Sequence, residues 1–207
     1  MSSNNQGDGS LRHRGQQQGS SDYMQHGGQA PPPPNYTHHD GPSHTGGGQY
    51  NHNGPNRGLQ WVSASNGHIP PNAVQGGIEK DGRPLFVART MYKGGLRPAK
   101  VGHHLENGGC NFAYSNKEIA VSEYQVLCGD ASRLRWVRQE GSLDINGFVP
   151  FPAGHEETGE PLYIAKTLHE NSQQLGTCAL HFKKGMLFPY GHKERSTSNY
   201  MVLAYAD

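Results

Sequence analysis

The chain has 207 residues, with 18 Lys and Arg against 17 Asp and Glu, for a formal net charge of +1. That balance gives no long-range pull toward nucleic acid or an anionic membrane surface. No apolar run approaches the roughly 20 residues that span a bilayer, so neither nucleic-acid binding nor membrane insertion is expected.

Residues 1–58 are Gly, Gln, Asn, His and Ser around a proline run, with almost nothing apolar. Such a segment buries too little surface to offset its conformational entropy, so a disordered low-complexity tail is expected. Its start, Met1-Ser2-Ser3-Asn4-Asn5-Gln6, lacks the basic and apolar regions of a secretory signal. The three cysteines (Cys110, Cys128, Cys178) have unrelated spacings, which argues against a disulfide framework or a zinc site and fits a reducing compartment. A cytoplasmic location is therefore expected, with unconventional export left open.

One segment of the tail carries a sharper signal. Pro31-Pro32-Pro33-Pro34-Asn35-Tyr36 favours polyproline II, and Pro33-Pro34-Asn35-Tyr36 fits the Pro-Pro-x-Tyr ligand of WW domains. Pro33, Pro34 and Tyr36 are thus candidate partner-binding residues, against the alternative of a plain spacer. Asn35-Tyr36-Thr37 is also a glycosylation sequon, relevant only to a secreted chain. The adjacent histidine pairs His38-His39 and His103-His104 lack metal-ligand spacing and are read as solvated polar residues. No cofactor or metal site is expected.

From Trp61 onward the text is written twice. Trp61-Val62, Asp81-Gly82-Arg83-Pro84-Leu85-Phe86-Val87-Ala88-Arg89-Thr90 and Glu123-Tyr124-Gln125-Val126-Leu127 return as Trp136-Val137, Thr158-Gly159-Glu160-Pro161-Leu162-Tyr163-Ile164-Ala165-Lys166-Thr167 and Asn199-Tyr200-Met201-Val202-Leu203. The offset between the copies drifts by one residue from Pro84/Pro161 to Tyr124/Tyr200, so this part must keep its pairing register. Near the front, Asn66-Gly67-His68-Ile69-Pro70 matches Asn146-Gly147-Phe148-Val149-Pro150 only with gaps, which marks loops. The copies divide as 59–130 and 131–207.

Pro84 to Arg89, Ser122 to Leu127, Pro161 to Lys166 and Tyr200 to Ala204 read as strands, and Gly and Pro punctuate too often for a long helix. The expected fold is all-β, two tandem repeats forming β-sandwich units. The pattern leaves open whether each copy folds alone or exchanges strands with the other. Trp61 and Trp136 at the strand starts, and the Tyr114 and Tyr190 pair, are read as core rather than as sugar-stacking residues. No Gly-x-Ser-x-Gly elbow, phosphate-binding loop or His-Glu-x-x-His is present, and the Gly46-Gly47-Gly48 run lies in the tail, so no enzyme is expected.

Trp-Val-x-x-Ser-x-Gly-x-Ile-Pro-x-x-Ala-Val-x-Gly-Gly, Asp-Gly-x-Pro-Leu-Phe-Val-Ala-Arg, Leu-x-Pro-x-Lys-Val and Glu-Tyr-x-Val-Leu together resemble the DM9 repeat, across Trp61 to about Tyr205. The resemblance implies a tandem β-sandwich. In its best-understood members it implies a mannose-binding lectin that dimerises, so mannose-containing glycans are the implied ligand and a homodimer the implied assembly. It also implies sugar contacts from the acidic residue after the Gly-Gly turn and from the lysine of Pro-x-Lys-Val, which here are Glu79 and Lys100. The family lectins carry aspartate where this chain has Glu79. Asp81 is a second acidic candidate, although Asp81-Gly82 is equally good turn chemistry.

A carboxylate accepts hydrogen bonds from neighbouring hydroxyls and an ammonium donates to ring or hydroxyl oxygens, so the pair makes chemical sense. The alternative is an exposed Glu and Lys forming at most a weak surface pair. The second copy keeps the acid as Glu156 but has Thr177 opposite Lys100. One competent site in the first copy and a degraded one in the second is the expectation. The rival function is a cytosolic interaction scaffold whose proline-rich tail recruits WW-domain partners.

Overall fold

The computed structural model describes residues 58–207; the tail, with Pro33, Pro34 and Tyr36, lies outside the described residues. Fourteen strands account for most of the described residues. The first copy contributes β1 (Leu59–Ser65), β2 (Gln75–Ile78), β3 (Pro84–Tyr92), β4 (Gly95–Val101), β5 (Cys110–Tyr114), β6 (Lys117–Val121) and β7 (Glu123–Gly129). After one 3-10 turn, Ala131–Arg133, the second contributes β8 (Leu134–Glu140), β9 (Pro152–His155), β10 (Pro161–His169), β11 (Ser172–Cys178), β12 (Met186–Tyr190), β13 (Lys193–Thr197) and β14 (Asn199–Tyr205).

Local chemistry sets the hairpins. Lys93-Gly94, Ser115-Asn116, Glu170-Asn171 and Gly191-His192 are two-residue turns with both φ angles positive. That is the type I′ geometry, whose twist matches that of the flanking strands, and Asn and Gly tolerate it best. Within β7 and β14, buried residues alternate with exposed ones before a buried run (Val126 to Cys128, Val202 to Ala204) that packs on both faces.

The two copies exchange strands. The sheet order is β1-β7-β3-β2-β11-β12-β13-β6-β5-β4-β9-β10-β14-β8, with β3–β4 and β10–β11 paired in addition. Replacing every strand by its counterpart and reading from the other end returns the same order, so the copies are related by a pseudo-twofold axis. Three seams join them: β2 to β11 through Gln173 and Ile78, β4 to β9 through Leu96 and His155, and β6 to β13 through Lys117 and Lys193. Strands β3, β2, β11, β10, β9 and β4 therefore close a hydrogen-bonded ring drawn from both copies. The central core mixes Leu85, Val87 and Leu127 with Phe151, Ile164, Leu175 and Leu203. A flanking core in each copy is centred on Phe112 and on Phe188.

Trp61 and Trp136 are half-buried against the central core, each capped by a cation from its own copy, Arg89 at 4.1 Å and Lys166 at 4.3 Å from the ring. The front-loop match is corrected by the pairing. Ala73 bridges Cys128 and Pro150 bridges Ala204, so Pro150 stands where Ala73 does, not Pro70. Because loops carry no ladder, the likeness of Asn66–Pro70 to Asn146–Pro150 imposes no register.

All three cysteines are free and buried, and burial pushes each thiol up from its ordinary range. Because the thiolate is the reactive form, an aromatic-disulfide reagent at pH 8 should titrate all three only in denaturant. Rapid reaction of any one in the native protein would contradict this packing.

Candidate functional site

The turn after β2 places Glu79, whose amide donates to Arg83 O at 2.8 Å while Gly82 donates back to Glu79 O at 2.9 Å. The same turn recurs after β9, with Glu156 bonded to Glu160 and Gly159. Asp81 is not drawn into the cluster. Its carboxylate is exposed and held by Arg83, whose hydrogen bonds keep it below the usual carboxylate range.

Lys100 on β4 does not sit on the surface; its side chain is 3% exposed. Its ammonium donates to Gln174 Oε1 at 2.8 Å and to Pro189 O at 3.0 Å. Glu118 Oε1 lies 3.7 Å away, beyond direct hydrogen-bond length. Gln174 connects lysine to acid, because its Nε2 donates to Glu79 Oε2 at 2.8 Å and to Ser172 Oγ at 3.0 Å. The structure thus brings Glu79 and Lys100 together through a residue of the other copy. Burial pulls the Lys100 pKa below its ordinary value, while Glu118 and Glu79 resist that shift.

Three further groups complete the cluster. Glu118 accepts from Asn111 Nδ2 at 2.9 Å and from the His192 amide at 2.7 Å. Tyr190 has its ring 6.0 Å from the Lys100 ammonium and its hydroxyl on Glu170, which raises the phenol's pKa. His104 Nε2 lies 3.7 Å from Glu79 Oε1. His104 was expected to be solvated, yet its side chain is 10% exposed, because the loop after β4 folds it down onto Glu79. His103 beside it is exposed. Tyr114 and Tyr190 are only partly buried against the flanking cores, and each also has the cation of a polar cluster over its ring.

The pseudo-twofold axis generates a second cluster with the same plan and different parts. Glu156, His181, Tyr114 and Glu194 stand where Glu79, His104, Tyr190 and Glu118 stand in the first. His181 Nε2 is again close to the acid, 3.5 Å from Glu156 Oε1. Thr177 replaces Lys100 and Arg97 replaces Gln174. The Arg97 guanidinium pairs with Glu156 Oε2 and lies 4.9 Å from the Tyr114 ring. Arg97 and Lys100 are both on β4, and their odd spacing turns them to opposite faces. One strand therefore supplies the cation of both clusters. Among the described residues, no grouping of three or more His, Cys, Asp or Glu side chains is arranged to hold a metal ion.

A strand-exchanged, tandem all-β protein with twinned polar clusters is the class that this fold and geometry define. The DM9 repeat matches residues 35–107 and 84–197, and the chain belongs to the DM9 repeat family. Among solved structures it is similar to the crystal structure of the nematode sperm cell motility protein MFP2B, with 14% identity and a TM-score of 0.50. That likeness covers 71% of this chain and 46% of MFP2B, so the chain spans less than half of that protein, and at this identity it concerns the fold alone. No curated protein matches the chain.

Proposed function

We propose that this protein is a lectin-like, non-catalytic carbohydrate-binding module whose site is the cluster around Lys100 and Glu79. The observation that supports this reading most is the burial of Lys100. An ammonium 3% exposed costs several kcal/mol of desolvation, and well-packed apolar residues in place of the whole lysine–carboxylate cluster would serve stability as well or better. It is held by Gln174 and Pro189 with a third donor left for a ligand oxygen. Glu79 Oε1, with His104 Nε2 3.7 Å away, is available to accept from a sugar hydroxyl, and the Tyr190 ring flanks the ammonium.

Mannose-type specificity follows from the DM9 resemblance, and the glutamate at position 79 reaches one methylene further than the aspartate of the family lectins. One shallow polar site binds weakly, so dimerisation or clustering would supply avidity.

A glycan array tests this reading. The full chain should give mannose-containing hits that vanish in Lys100→Ala and weaken at least about tenfold in Glu79→Gln, a loss of roughly 1.4 kcal/mol, with the β-sheet circular dichroism retained. An empty array would instead favour an interaction scaffold acting through Pro33-Pro34-Asn35-Tyr36 and a WW-domain partner.

A further inference from the structure

The second cluster encloses an open cleft of about 210 Å³, lined by Arg97, Tyr114, Ser115, Glu156, Thr177 and Glu194 over an apolar floor that includes Leu162 and Leu187. The space exists because Thr177 is short where Lys100 is long. The charge lost with that lysine is restored from the other copy. Arg97 is 8% exposed, and its Nε is buried with no hydrogen-bond partner, although Nη1 is engaged by Glu156. An unpaired buried N–H is costly and rare; the Nε itself is packed against Gly95, while the side chain it belongs to lines the cleft.

Gly95 shows that the arginine has a place made for it. A Cβ at that position would stand 2.8 Å from Arg97 Nη2, and no positive φ explains the glycine. The equivalent residue in the first cluster is Ser172, which instead accepts a hydrogen bond from Gln174. The exchanges Ser172 for Gly95, Gln174 for Arg97 and Lys100 for Thr177 are mutually adjusted. Decay of an unused site would not produce that fit.

We propose that the cleft between Arg97, Glu156 and Glu194 is a second carbohydrate site, in which an arginine of the first copy supplies the cation that the second copy lacks. The ligand class rests on the carbohydrate reading of the first cluster; the cleft and the arginine that lines it do not. The cleft is smaller than the roughly 300 Å³ at which pockets for drug-sized ligands begin, and fits a single sugar ring. Apolar floor and polar walls match the C–H face and hydroxyl edges of such a ring. Glu156 already meets the guanidinium charge, and Glu194 adds a second carboxylate that accepts from the Asn116 amide but has Leu187 where Glu118 has Asn111. The walls thus carry excess negative charge, so the ligand is a neutral sugar and not a uronic acid.

The test is amide-resolved NMR on the full chain, titrated separately with methyl α-D-mannopyranoside and with D-glucuronate. Saturable mannoside shifts are expected at Ala113, Ser115 and Asn116, with D-glucuronate silent there. Arg97→Gln, which installs the glutamine of the other cluster, should weaken the cleft at least about tenfold. The half-exposed Glu194→Gln should weaken it severalfold even if Arg97→Gln fails to fold. Cleft shifts without shifts at Glu118, Gln174 and His192 would support this site while removing the first. Shifts at the first cluster alone, no shifts anywhere, D-glucuronate bound in place of the mannoside, or cleft binding unaffected by both substitutions would each overturn it.

Discussion

Gly154→Ala should cost about 3 kcal/mol or more and lower the midpoint of thermal unfolding by about 10 °C. A Cβ at Gly154 would lie 1.9 Å from Leu96 O, a backbone atom of the strand that β9 pairs with. Relief requires the two copies to part at that seam, which opens the ring around the central core. Gly77, its counterpart at the seam between β2 and β11, would place a Cβ 2.2 Å from Gln173 O and should behave alike. Gly159→Ala is the control. Its φ is +99° but nothing lies within 4 Å, so only left-handed strain of about 1–2 kcal/mol applies. Differential scanning calorimetry of the three variants checks the ranking, and equal losses in all three would contradict the strand exchange.

Lys100→Met should destabilise the native state by about 3 kcal/mol, because it leaves Glu118 facing a buried cluster with its nearest cation gone. Glu118 is only 10% exposed, so water cannot replace the lysine cheaply. Glu118→Gln combined with Lys100→Met should recover about 1 kcal/mol or more of the summed loss, read as coupling in a double-mutant cycle. Strict additivity in urea unfolding would show that the two charges do not interact. A pH signature accompanies this. Burial holds the folded-state pKa of Lys100 below the unfolded value near 10.5, so between those two values the unfolded chain binds more protons. Stability relative to Lys100→Met therefore rises with pH through that window, and that rise is absent from the variant.

How much of this was legible in the sequence follows from what a repeat encodes. Trp61/Trp136, Pro84/Pro161 and Tyr124/Tyr200 sit on matched strands because the ladder between β3, β10 and their partners tolerates no slip. The all-β class was readable for the same reason. Strand exchange was not, because Gln173 pairing with Ile78 and Leu96 with His155 satisfy the same ladders that pairing within each copy would. Glu79 and Lys100 were found through a family motif, whereas the glutamine linking them and the Pro189 carbonyl come from the other copy and have no signal near them in sequence. Arg97 was hidden for that reason too, since Thr177 alone suggested a degraded site. One signal was present: Glu79/Glu156, His104/His181 and Glu118/Glu194 are repeated polar residues away from the core, and a polar residue kept in both copies needs a reason beyond packing.

The carbohydrate reading is tested most directly at the Lys100 ammonium itself. Its Nζ protons are shielded in a buried, hydrogen-bonded cluster and are accessible to ¹⁵N-detected NMR on the full chain. Titration with methyl α-D-mannopyranoside should shift the Nζ signal saturably, with the Gln174 side-chain amide and the Glu79 carboxylate following the same isotherm. Saturable mannoside binding that leaves all three signals unmoved, or no binding at all, would contradict the assignment of this cluster as the sugar site.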